Sequence, residues 1–110
     1  MKTLKTFFIA LCFLFAKNIF AQNDTTIKIK TPAQCEQCKK RIEHNMSFEK
    51  GVKKVNLDII TSELEISYDK RKTSPEKLKT AVTKIGYDAD EMPADKKAYE
   101  KLPNCCKKEK

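Results

Sequence analysis

Cys35 and Cys38 lie three apart in the stretch Gln34-Cys35-Glu36-Gln37-Cys38-Lys39-Lys40-Arg41, followed by helix-forming residues. On the first turn of a helix, that spacing brings both thiols to one face, within reach of a single ion. The free N–H groups of a helix start, the positive end of its dipole, and the cations Lys39, Lys40 and Arg41 all favour the thiolate. A thiolate is both a metal ligand and a redox nucleophile, so the stretch announces sulfur chemistry of one kind or the other.

Four further side chains bear on that chemistry. Cys105 and Cys106 stand side by side near the end of the chain, followed by Lys107, Lys108, Glu109 and Lys110. Neighbouring cysteines strain badly when bonded to each other, so they are expected either to add ligands to the ion at Cys35 and Cys38 or to form a mobile, reactive end. His44 is the only histidine. It lies six residues beyond Cys38, roughly 9 Å down the helix, and reads as a surface residue rather than a third ligand. Met46 fits an apolar core stripe. No paired catalytic carboxylates, nucleophile triad or phosphate loop is present, and the chain is not read as an enzyme.

The elements that position these residues follow from hydrophobic period. Met1 to Ala21 stands apart: Lys2 and Lys5 precede the unbroken apolar run Phe7 to Ala16, and Ile19-Phe20-Ala21 ends in a small residue suited to cleavage. It reads as a signal peptide (1–21), since the run is about half of the ~20 residues that a membrane-spanning helix needs. Cys12 would leave with it; a lipid anchor there is disfavoured because Leu11 precedes it. About 89 residues then remain, enough for one small domain. That chain is expected to be periplasmic or secreted, monomeric and not membrane-spanning, with its four cysteines in a compartment that favours disulfides. Removing Lys2, Lys5 and Lys17 lowers the formal charge from +8 to +5. With no aromatic residues interleaved among the basic ones, this excess reads as a solvated surface, and nucleic acid is not expected as a partner.

Thr25 to Thr31 alternates, Ile27 and Ile29 facing one way, until Pro32 stops it. A helix from about Glu36 to Glu49 aligns Cys38, Ile42 and Met46 on one stripe, with Lys50-Gly51 expected to close it. Val52 to Ile60 alternates through Val55, Leu57 and Ile59; Thr61-Ser62 marks a turn, and Glu63 to Asp69 answers with Leu64, Ile66 and Tyr68, an antiparallel hairpin. Ser74 is a natural N-cap with Pro75 behind it, and Leu78, Ala81, Val82 and Ile85 form a helical face that Gly86 ends. Tyr87 to Met92 reads as a short strand ended by Pro93, and Ala94 to Leu102 as an added helix with Ala98 and Leu102 inward. Strand, helix, strand, strand, helix, strand is the ferredoxin-like order: an α+β sandwich with a four-stranded antiparallel sheet and two helices on one face. It occupies 22–92, leaving a basic Cys-Cys tail at 93–110.

The Cys-x-x-Cys after the first strand, the stretch from Gly51-Val52 through Tyr68-Asp69, and Gly86-Tyr87 after the second helix together resemble the heavy-metal-associated domain family, which includes small copper chaperones and periplasmic mercury-binding proteins. The resemblance covers about Thr25 to Met92. It implies one soft ion held by Cys35 and Cys38, and a place beside the metal loop for Tyr87. The chain differs from the usual family motif in having Pro32-Ala33-Gln34 where Gly-Met-Thr precedes the first cysteine.

Independently, two thiolates suit Cu(I) or Hg(II), and Zn(II) or Cd(II) are further candidates, although structural zinc takes four ligands. Two-coordinate binding leaves room for a partner's thiol to attack. The expected role is capture and hand-over of the ion to a metal-transporting membrane protein or another Cys-x-x-Cys domain. The alternative is a thiol–disulfide oxidoreductase using the same pair. Against it, no aromatic precedes Cys35, and a hairpin directly after the first helix does not fit the thioredoxin order. A resting disulfide that staples the loop is compatible with either role.

Overall fold

The computed structural model describes residues 23–33 and 35–107. The signal-peptide reading of 1–21 and the fate of Cys12 lie outside the described residues. Among those residues, no helix is long and apolar enough to cross a membrane.

Three strands form an antiparallel sheet in the order β1-β3-β2, with β1 at Asp24–Lys30, β2 at Val52–Asp58 and β3 at Glu63–Asp69. Ile27 pairs with Ile66, Ile29 with Leu64 and Leu57 with Leu64, so the apolar positions of all three strands fall on one face. The helices are α1 at Glu36–Ser47, α2 at Pro75–Ile85 and a short α3 at Lys96–Glu100. Ile29, Leu57, Leu64 and Ile66 from the sheet meet Cys38, Ile42 and Met46 of α1 and Leu78 and Val82 of α2 in one core. The stripes read from sequence face this core, with Ile27, Val55 and Ile85 half-buried against it; Ile59 lies beyond the end of β2 and outside it.

Local chemistry explains the element ends. Ser74 caps α2, its hydroxyl accepting from the Lys77 N–H at 3.4 Å, and Gly86 closes it in the left-handed region at φ 117°. Gly51 does not cap α1 as expected. Phe48 does, its N–H donating to the Asn45 carbonyl at 3.3 Å while the Glu49 N–H donates to that of Met46 at 3.1 Å, and Gly51 (φ 84°) instead turns the chain into β2. β2 also stops earlier than expected, because the Asp58 carboxylate accepts from the Ile60 N–H at 2.9 Å and folds the chain over. Ile60 is left 94% exposed at the turn.

The expected fourth strand at Tyr87 to Met92 does not form in the described structure. Ala89 and Met92 pair with each other across Asp90-Glu91, with Asp90 in the left-handed region at φ 50°. Aspartate is among the few residues other than glycine that enter this region, and here its carboxylate is held from outside the turn. The segment hydrogen-bonds to β1 at Lys30: the Asp90 N–H donates to the Lys30 carbonyl at 2.8 Å, and the Asp90 carboxylate accepts from the Lys30 N–H at 2.8 Å. A side chain does there what a strand's carbonyl would have done. Lys79 of α2 pins the turn through Asp90 at 3.3 Å and Glu91 at 3.4 Å.

From the turn, the chain runs across the end of α2. Asp95 caps α3, accepting from the Ala98 N–H at 3.0 Å, and its own N–H donates to the Thr83 carbonyl at 2.9 Å. Gly86 makes this approach possible: a Cβ there would stand 3.0 Å from the backbone carbon and oxygen of Ala98. Leu102 enters the core, as expected, and a single 3₁₀ turn at Asn104–Cys106 follows.

Candidate metal centre

The loop that carries Cys35 leaves β1 at Thr31, whose N–H donates to the Ser62 carbonyl at 2.9 Å, and is seated by the buried Ala33. Cys35 then occupies the N-cap position of α1 in extended conformation. Cys38 follows on the inner stripe, fully buried with Ile42 and Met46 below it. The helix spacing does what the sequence indicates: the two sulfurs are 3.3 Å apart, and both cysteines are free thiols. One is half-buried and the other buried, so the pair is open to solvent on the Cys35 side only.

The C-terminal thiols come to the same place. Cys106 is buried at 3% exposure, with its sulfur 4.0 Å from that of Cys35 and 3.9 Å from that of Cys105. The sulfurs of Cys35, Cys105 and Cys106 all lie within 4.8 Å of one another. The Cys105 carbonyl faces both thiols of α1, at 3.8 Å from Cys35 and 4.0 Å from Cys38. Cys105 itself is exposed, and its thiol donates to the Gln37 side-chain oxygen at 2.9 Å. Cys105 and Cys106 thus stand beside the loop that carries Cys35.

The thiols do not titrate alike. Cys35 is lowered to about 7, first by the backbone N–H of Cys38 and then by the Cys38 thiol, against the opposing effect of burial. As a thiol it makes no capping bond. As a thiolate it has the charge that a helix start favours. Cys106 is pushed up, chiefly by burial, and Cys105 is pushed up, chiefly by its neighbour Cys35. One sulfur is thus ready as an anion at neutral pH while the tail thiols hold their protons. The lowering at Cys35 comes from hydrogen bonding, first from Cys38 within the motif and then from Cys105 and Cys106; the charges of Lys39, Lys40 and Arg41 are not among its causes. Lys39 lines a shallow groove with Glu36, Asn56 and Ile60.

Tyr87 is placed at the site. Its ring is 2% exposed, and its hydroxyl finds no hydrogen-bond partner among the described residues. Burial, then the neighbouring thiols Cys106 and Cys38, push its ionisation far up, so it is a neutral potential donor beside sulfur. His44 lies exposed, its ring edge-on to Phe48 at 5.1 Å between centroids, and Met46 is in the core. Sequence reasoning missed Gln37 as the partner of Cys105. Its only signal was its place inside the Cys-x-x-Cys, and no local rule ties it to a residue 68 positions away.

The cluster of thiols at one end of the first helix of this three-stranded α+β domain is a donor set suited to a soft ion. The chain belongs to the heavy-metal-associated domain family, whose model matches residues 30–88. Copper-transporting ATPase 1 of Rattus norvegicus is 40% identical over 63 residues, covering 57% of this chain and 4% of that protein. The structure of oxidized MerP from Ralstonia metallidurans CH34 superposes with a TM-score of 0.57 at 28% identity, covering 61% of this chain and 94% of that one. A CopZ metallochaperone shares the fold, with a TM-score of 0.56 at 21% identity over 59% of this chain and 98% of its own. Domains of this family are generally metal-binding and non-enzymatic, and the family match gives no support to the oxidoreductase alternative.

Proposed function

We propose that this protein is an exported carrier that captures one soft ion, Cu(I) or Hg(II), through Cys35 and Cys38 and passes it on. The observation that carries this reading is the pair of free thiols 3.3 Å apart at the start of α1, one lowered to about 7, in a chain of the heavy-metal-associated family. Thiolates select soft ions, and a half-buried sulfur beside a buried one leaves an open side from which an incoming thiolate can approach.

Hand-over proceeds by ligand exchange. A partner thiolate bonds to the ion, one bond to Cys35 or Cys38 breaks, and the second follows, with no change in oxidation state. The receiver is a metal-transporting membrane protein or another Cys-x-x-Cys domain. Residues 1–21 direct export, 22–92 form the binding domain and 93–110 its basic tail; the mature chain acts as a monomer in the periplasm or outside the cell. Tyr87 donates to a metal-bound thiolate, and Lys39 helps to present a basic face to the partner.

The test is native mass spectrometry of the reduced protein offered Cu(I), Hg(II), Zn(II) and Cd(II) in competition without oxygen. One retained soft ion, lost in Cys35→Ser/Cys38→Ser and released to a Cys-x-x-Cys acceptor domain, is the expected result. Catalytic reduction of a model disulfide with no retained ion would overturn it.

A further inference from the structure

The four thiols make more than a two-sulfur pincer. They form two overlapping sets that share the edge between Cys35 and Cys106, 4.0 Å long. The inner set adds the buried Cys38, 3.3 Å from Cys35; the outer set adds the exposed Cys105, 3.9 Å from Cys106, and its three sulfurs lie within 4.8 Å of one another. Sulfurs bonded at about 2.3 Å to one ion stand about 3.8 Å apart in a tetrahedron, about 4.0 Å in a planar trio and about 4.6 Å when opposed. The edges from Cys106 to Cys35 and to Cys105 therefore have the length of a three- or four-thiolate site.

Two further observations point the same way. Cys38 has no exposed surface with which to meet an incoming partner. The Tyr87 hydroxyl, buried against Cys38 and Cys106 with no partner among the described residues, is a donor waiting for an anionic acceptor.

We propose, on the basis of the carrier role, that the C-terminal segment is a latch: Cys106 completes a three-thiolate site with Cys35 and Cys38, and Cys105 is the exit ligand that takes the place of Cys38 as the ion moves outward. In the exchange, a bond forms between the ion and the Cys105 sulfur as that thiol gives up its proton. The bond to Cys38 breaks, and the Cys38 thiolate takes up a proton. The ion keeps three sulfurs and its oxidation state throughout. Gln37 holds Cys105 aside until then, and the packing of α3 on Gly86 with Leu102 in the core keeps the latch closed.

X-ray absorption on the reduced protein carrying one equivalent of Cu(I) tests this directly. Three sulfur ligands are expected in the unaltered protein and in Cys105→Ser, and two in Cys106→Ser. Transfer of Cu(I) to a Cys-x-x-Cys acceptor domain is expected to be severalfold slower from Cys105→Ser. Two sulfurs in the unaltered, Cu(I)-loaded protein would overturn the latch and leave the carrier reading standing, whereas a protein that retains no Cu(I) would overturn both. Unchanged transfer from Cys105→Ser would overturn the exit role. The ligand count in the unaltered protein decides the first point even if Cys106→Ser does not fold.

Discussion

The first half of the fold, β1-α1-β2, closes with a strand that pairs along its length with β3, whereas the second half, β3-α2, closes with a turn that hydrogen-bonds to β1 at Lys30. Both halves begin alike, each with a strand feeding a helix whose inner stripe fills the core. They part at Asp90. Because one carboxylate there does the work of a strand's carbonyl, the chain is free to turn back over α2 and carry two thiols to the end of the molecule where the first half has placed its own. A shortened sheet and an enlarged thiol cluster are two views of one change in path.

Four substitutions or titrations would break or sharpen this contrast. Ile42→Ala, at the centre of the α1 stripe, is expected to cost about 2–5 kcal/mol in urea unfolding, because it leaves a cavity between sheet and helix. A loss under ~1 kcal/mol would mean that the first half is not the core. Gly86→Ala should cost about 1–3 kcal/mol, since alanine is strained at φ 117° and its Cβ meets the Ala98 backbone. Its effect should fall on the second half, with Cys106 becoming open to alkylation in the folded protein while Cys38 stays protected. Equal exposure of both would erase the distinction.

Asp90→Ala is expected to cost about 1–2 kcal/mol through the lost acceptor for the Lys30 N–H and the lost ion pair with Lys79. Faster hydrogen exchange at the Lys30 amide reads this, and Asp90→Gly should recover the part due to backbone conformation. The smallest effect is in titration. Cys35 is lowered, so its thiolate fraction and alkylation rate should rise as pH passes through about 7 and fall away below it, whereas Cys105, which is raised, should react only at higher pH. A Cys35 midpoint at the ordinary thiol value of 9.0 would remove the difference between loop and tail.

What was legible in the sequence was whatever repeats or stands next to its cause. The stripes Cys38-Ile42-Met46 and Leu64-Ile66-Tyr68, the cap at Ser74 and the stop at Gly86 are each decided within a few residues, and each is where the pattern put it. Tyr87 to Met92 misled because six residues with Tyr, Ala and Met suit a strand and a tight turn equally well. The choice is made by Asp90 meeting Lys30, 60 positions earlier. Pro32-Ala33 indicated a loop, but not that its start hangs from Ser62. The approach of Cys105 and Cys106 to the first helix was legible only as one of two alternatives, because it depends on the fit of α3 against a missing side chain at Gly86.

The absent fourth strand has a consequence for how copies of this protein meet. Among the described residues β1 is an outer strand of the sheet, bonded on that side by Asp90 at Lys30, and the rest of it is the kind of border onto which another chain readily adds. Its sequence, Asp-Thr-Thr-Ile-Lys-Ile-Lys, sets Lys28 and Lys30 exposed along that border. A second molecule adding strand to strand would bring ammonium groups against each other, and at low ionic strength that repulsion discourages the sheet from growing into a fibre.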